Sequence, residues 1–429
     1  MWTMEHDTSE ARLPVADLPH LPIGGGFDLL SGIRVLDLTT SIAGPFATML
    51  LGDLGAEGIK VERPDVGDDA RSWGPPFLND ESLWFLSVNR NKKSIALDYS
   101  RPEGLGVLHD FVRATDILVV NQPSRVSAKL GVDAASMTAV KNDLVYVSIT
   151  GFGLDGERAD WTCYDLIAEG YSGVMDLTGG ADGEPQKVGA PAADMLAGQD
   201  AAFAALAAII GRHRTGGGKV VDIALVDSMT RFLACRIVPY LGSGELPRRT
   251  GGKDSVIAIY ETFQTADLPM TLGLGSDNLW RRFWEAIGAP EVGMDVSYAS
   301  NADRRARRGE IVAKIQAVLA TRRRAHWLNV LRAARVPAGP INRVDEVASD
   351  TYLQERGLFY RMSGGAGDIP QVGSGFRLDG EFNRPHLAPP RLGEHTSELL
   401  IDFLKYDADR VRMLAEAGVI ASGETGTAK

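Results

Sequence analysis

A chain of 429 residues is longer than one ordinary hydrophobic core organises, so two or more domains are expected. Hydrophobic content of 44%, charged content of 24% and 48 glycines suit a globular α/β protein and exclude a disordered or fibrous one. The net charge of -11 argues against a general nucleic-acid or anionic-membrane surface.

Residues 1–30 are broken by charges, prolines and Gly24-Gly25-Gly26, which predicts a loose N-terminal arm with neither a signal-peptide core nor a spanning helix. Ile33 to Leu38 predicts a strand, and Pro45 suits the first turn of a helix that Gly55 and Gly58 close. IKVERP then returns as a strand, completing a βαβ unit with parallel pairing. SIALDY, DILVVN and LVYVSIT are further strands, with PEGLGVLHDFVRAT and SRVSAKLG as helices between them. The pattern predicts a doubly wound, Rossmann-like parallel sheet, with ligands at the carboxyl ends of its strands. Thr39 to Pro45, Arg63, Asn121 and Thr150-Gly151 then share one rim. No GxGxxG opens the first helix, and GLGSD at 273–277 lies in the wrong context, so no NAD site is expected.

From Met195 to Ile210 apolar residues cover every side of a helix, which predicts burial all round, and the segment from Arg212 to Lys219 should end it. Asp194 stands at its start. There it is either a plain N-cap or a carboxylate that the helix dipole and unpaired N–H groups keep ionised, as a nucleophile requires. The expected division is an arm over 1–30, a large domain over 31–240, a smaller α+β domain over 245–345, and a return to the large domain with C-terminal helices over 346–429. Within the small domain, IAIYETFQTADLPMTLGLG predicts a hairpin and the arginine-rich run from Arg304 a solvated helix face. The last residues, SGETGTAK, should fray. Cys163 and Cys235 lack metal-ligand spacing, the seven histidines form no ligand pair, and a cytoplasmic protein without a bound metal is expected.

GPFATMLLGDLGAEGIKVERPDVGDDARSWGPPF, NRNKKSIALD, SITGFGLDG, KVGAPAADMLAGQDAAFAALAAIIGRHRTGGGKVVDIAL, RVPAGPIN and APPRLGEHTSELL follow one another in order. Together, over about residues 30–420, they resemble the class III (CaiB/BaiF) CoA-transferases. The resemblance implies a Rossmann-like domain built from both chain ends, an inserted smaller domain, and a homodimer of interlocked subunits. It makes Asp194 the catalytic residue of a ping-pong reaction between an acyl-CoA and a small carboxylic acid, passing through an aspartyl anhydride and an aspartyl-CoA thioester. No metal or ATP is implied. For coenzyme A it implies contacts from Thr40, Ser41, Ile42, Ala43, Arg63, Asn121, Gln122, Lys129, Thr150 and Gly151. Lys129 replaces an arginine of the relatives, and Asn121-Gln122-Pro123-Ser124-Arg125 departs from their NFxPG turn, leaving Arg125 as an added phosphate candidate. Gly189 is a candidate oxyanion donor. A dicarboxylate substrate, as in the succinate–glutarate branch, would want a cation, for which Arg71, Arg90 and Lys187 are candidates.

Racemases of the same family carry a histidine where Tyr164 stands here, and a supporting glutamate where Gln264 stands. A tyrosine is a poor base near neutral pH, so a 2-methylacyl-CoA racemase is the alternative. A CoA-binding dimer without turnover is a second one, against which the presence of Asp194 counts.

Overall fold

The computed structural model describes residues 13–421, so the first twelve residues of the arm and the tail over 422–429 lie outside the described residues. The chain forms two compact units. The first is built from the segments ending at Ser172, from Gly189–Leu233 and from Ala348 onward, the second from Gly173–Val188 and Ala234–Val347. Residues 173–188 were expected in the large domain. They belong to the second unit, where Arg249 donates to the Asp176 carbonyl at 2.6 Å.

In the first unit, β1 (Arg34–Asp37) leads to α1 (Ala43–Asp53), β2 (Glu57–Glu62), β3 (Lys92–Leu97), α2 (Pro102–Ala114), β4 (Ile117–Val120) and β5 (Val145–Thr150). Then come α3 (Asp165–Ser172), α4 (Ala192–Thr215), β6 (Lys219–Ala224), α5 (Leu225–Phe232) and β7 (Ile420–Ala421). The sheet order is β7-β3-β2-β1-β4-β5-β6. Every pairing is parallel except that of β7, which joins the β3 edge antiparallel. β4 and β5 are buried at every position, as strands covered on both faces are; β4 reads as a continuous apolar run, while β5 carries Ser148 and Thr150 among its apolar residues. Strand order reverses between β1 and β4, so the crevice beyond their carboxyl ends is where such a sheet binds ligands.

Residues 13–30 are not a loose arm. Leu21 N–H donates to the Arg361 carbonyl and Arg361 N–H to that of Pro19, both at 2.9 Å, while Gly24 N–H reaches the Pro385 carbonyl at 2.7 Å. The glycines break regular structure without freeing the strand-like segment from these backbone partners.

α4 also departs from expectation. Ala197, Gly198, Ala201, Ala205 and Ala208 are buried, but Phe203 is 73% and Ile210 62% exposed. The small residues fall at helical spacing on the side that meets α1, and the larger apolar residues stand opposite. A Cβ on Gly198 would come within 2.5 Å of the Ala43 carbonyl oxygen, so this crossing requires glycine. Its end falls where expected, within the segment from Arg212 to Lys219: Arg212 in the last turn pairs with Asp116 at 2.7 Å, and Gly216 caps the helix with φ of 74°.

The second unit contains a hairpin of Tyr260–Phe263 and Met270–Gly273, extended by Ala338–Pro340. Its core gathers Trp280, Phe283, Trp284, Ile315 and Leu331. Arg305, Arg307, Arg322 and Arg323 face solvent, whereas Arg304 is buried and pairs with Asp277 at 2.7 Å.

Candidate active site

A cavity of about 250 Å³ opens at the reversal of strand order, lined among others by Thr40, Ser41, Ala43, Asn121, Thr150, Gly151 and Asp194. The loop after β1 is fixed residue by residue. Thr39 N–H and Oγ1 donate to Asp37 at 2.9 and 2.5 Å. The Asn121 side chain clamps Thr40, accepting its N–H at 3.1 Å and donating to its carbonyl at 2.8 Å. Ser41, with φ of 71°, donates its N–H to Asp68 Oδ1 at 2.9 Å. Gly151 admits no side chain, since a Cβ would fall 2.1 Å from Cβ of Cys163.

Asp194 sits in the first turn of α4, where Pro191, not Asp194, is the N-cap. The cap reading is therefore wrong, for a tertiary reason. Asp165, at the start of α3, accepts from the N–H groups of Ala193 and Asp194 at 2.8 and 3.3 Å. Those are the donors expected to hold Asp194 ionised, and a second carboxylate occupies them. Burial, and after it the charge of Asp165, push the Asp194 carboxyl up to about 7. It is thus a carboxyl poised near neutrality, half-buried at the cavity wall. Sequence reasoning missed Asp165, although it lies within the stretch searched for a histidine. The thiol of Cys163 also lines the cavity and is pushed up to about 11 by burial and by Asp194.

Of the CoA-contact candidates, Ile42, Arg63, Gln122 and Lys129 do not line the cavity. Ile42 is buried as the N-cap of α1. The side chain of Arg63 is 54% exposed, with its guanidinium 2.5 Å from Asp69, which does line the cavity. Gln122 donates to the Leu38 carbonyl at 2.9 Å and to the Tyr99 hydroxyl at 3.2 Å. Lys129 and Arg125 are exposed on Ser124–Leu130 without an ion-pair partner among the described residues. Gly189 is exposed and does not line the cavity.

The dicarboxylate candidates fare differently. Arg71 forms a bidentate pair with Glu62 at 2.7 and 2.8 Å beneath the surface. Arg90 is buried in the same way on Asp53 at 2.8 and 2.6 Å. Both are structural cations. Lys187 is exposed in the second unit. No lysine, arginine or histidine lines the cavity among the described residues, and Trp73, Trp161 and Tyr164 form its aromatic part. Tyr164 is 74% exposed, and Gln264, in the second unit, pairs through its backbone with the Gln316 side chain. No cluster able to hold a metal occurs among the described residues.

Comparison with known proteins places this geometry in a family. The model of CoA-transferase family III matches residues 30–396. Succinyl-CoA:glutarate CoA-transferase of Mus musculus is 37% identical over 92% of this chain and 91% of its own length. Acetyl-CoA:oxalate CoA-transferase of Acetobacter aceti is 34% identical over 90% and 97%. A CAIB/BAIF family protein from Brucella suis superimposes with a TM-score of 0.78 at 34% identity, covering 88% of this chain and 99% of that one. The chain belongs to CoA-transferase family III and is an enzyme of that class.

Proposed function

We propose that the protein moves coenzyme A from an acyl-CoA to a free carboxylic acid through covalent intermediates on Asp194. The observation that carries this reading is the Asp194 carboxylate at the wall of the switch-point cavity, in a chain of this family. An Asp194 oxygen attacks the thioester carbonyl, the C–S bond breaks, and an acyl-aspartyl anhydride and CoA thiolate form. The thiolate attacks the Asp194 carbonyl carbon, releasing the donor acid and leaving an aspartyl-CoA thioester. The acceptor carboxylate then attacks this thioester to form its own anhydride with Asp194, and the returning thiolate takes the acceptor acyl group and frees the carboxylate. The N–H groups at the start of α1 and the loop fixed by Asn121 and Asp68 suit the nucleotide end of the substrate. A cytoplasmic setting belongs to the same proposal and rests on the two cysteines, both free.

Succinyl-CoA with a dicarboxylate is the first pair to test, because relatives are named for such exchanges. Among the described residues, the cavity wall of the first unit supplies no cation for a second carboxylate. A matrix of acyl-CoA donors against free acids, read by mass spectrometry, should yield new thioesters only when both partners are present. Release of acid and free CoA without an acceptor would mean hydrolysis and refute transfer. The racemase alternative predicts deuterium wash-in at the α-carbon of a 2-methylacyl-CoA, which transfer does not.

The proposal includes a homodimer. Phe203 and Ile210 of α4, Val220 of β6 and Phe232 of α5 are large apolar side chains left exposed in one chain. Light scattering should give twice the chain mass, and a monomer at micromolar concentration would contradict it.

A further inference from the structure

Lys60 is a lysine in the middle of a buried strand, with no side-chain exposure. Its Nζ lies 2.8 Å from Asp68 Oδ2 and donates to the Thr39 carbonyl, also at 2.8 Å. Burial alone would lower its pKa, but Asp68, Asp37 and Glu62 together raise it, so it remains charged. Asp68 is equally enclosed, and its other oxygen, Oδ1, accepts from Ser41 and Ala70 N–H groups, both at 2.9 Å. Asp68 N–H in turn donates to Glu62, which Arg71 holds from two sides. A buried ion pair seldom stabilises a fold more than a packed apolar pair would. This one differs from ordinary core polarity in where its bonds go: each partner grips the main chain of the same three-residue loop, Lys60 at Thr39 and Asp68 at Ser41. The gripped residue Ser41 holds a left-handed φ of 71°, which a non-glycine residue adopts only where its surroundings fix it.

We infer that the buried Lys60–Asp68 pair is a positioning device that fixes loop 39–41 in its ligand-ready shape, so that breaking it weakens binding of the CoA substrate without altering the chemistry at Asp194. Neither residue lines the cavity; both act through Thr39 and Ser41. The inference rests on the reading that this loop receives CoA. It makes these two residues determinants of substrate affinity although they touch no substrate.

The test compares wild type, Asp68→Asn and the charge-neutral double variant Lys60→Met/Asp68→Asn, with free CoA as the probe in calorimetry. Steady-state kinetics and thermal melting accompany each protein. Asp68→Asn keeps the shape but removes the charge that faces Lys60, while the double variant removes both charges and the grip on Thr39. Both should weaken CoA binding and raise KM for the acyl-CoA roughly tenfold or more, with kcat at saturation within about threefold of wild type. In the double variant affinity should stay low even where the melting temperature recovers. A merely structural pair would show the reverse: lower melting temperature with CoA affinity and KM unchanged, or affinity that returns together with stability, and either result overturns the inference. If Asp68→Asn does not fold, the double variant is decisive. Failure of the wild type itself to bind CoA would refute the functional reading instead, so the two failures are distinguishable.

Discussion

Replacing Asp194 by Asn should lower CoA exchange by at least about four orders of magnitude, because the variant retains the shape of the cavity wall but cannot form an acyl anhydride. The same substitution should stabilise the fold above neutral pH. The Asp194 carboxyl stands at about 7 in the folded chain, against an ordinary value of 3.8. Its raised value means that the folded state holds the proton more tightly than the unfolded one. The stability linked to it is therefore complete below the unfolded pKa and is lost as pH rises from there through about 7. At ~1.4 kcal/mol per unit, the full loss is on the order of 4 kcal/mol, which an asparagine does not incur. Urea unfolding at pH 5 and pH 8 should show the advantage of Asp194→Asn growing with pH. For the wild type, activity should rise around pH 7, where the nucleophile ionises in the folded chain. Asp165→Asn, which removes the neighbouring charge but keeps an oxygen for the Ala193 N–H, should move that limb to lower pH. An unchanged limb would mean that another group controls the profile.

Gly198→Val should destabilise the first unit by about 2–4 kcal/mol and depress activity with it. The added Cβ would meet the Ala43 carbonyl at 2.5 Å and the Phe46 ring at 3.0 Å, and a main-chain atom cannot rotate away. α4 must then separate from α1 just where one helix carries Asp194 and the other follows the ligand loop. Gly211, in the same helix, has nothing within 4 Å of its position. Gly211→Ala should therefore stabilise by up to about 1 kcal/mol, since only the helix propensity changes. Equal effects at the two glycines, measured by denaturant midpoint, would show that propensity and not the crossing governs the helix.

These sites show which features the chain announces. The parallel sheet is legible because β4 is an uninterrupted apolar run, β5 is rich in β-branched residues, and Pro and Gly mark helix ends between the strands, all of which are local signals. Asp194 is legible as a helix-start carboxylate, whereas its ionisation is not. Its partner Asp165 lies 29 positions away and reaches the α4 amides only through packing of α3. The same limit hides the role of Lys60, which reads as a charge interrupting an apolar strand until Asp68 and Thr39 close around it. Composition also overstated the burial of α4, because alanine and phenylalanine count alike as apolar while only the alanines allow α1 to approach. Arg71 and Arg90 could be read as substrate cations in the sequence, and the fold commits both to carboxylates of its own.

The central claim is that acyl and CoA groups pass covalently through Asp194. It is tested most directly by incubating the protein with succinyl-CoA, or with the most active donor of the substrate matrix, adding hydroxylamine, and mapping the digest by mass spectrometry. The account predicts conversion of the Asp194 side chain to a hydroxamate in the peptide that spans α4, dependent on acyl-CoA and absent from Asp194→Asn. Turnover with unmodified Asp194, or trapping at another carboxylate, would contradict it.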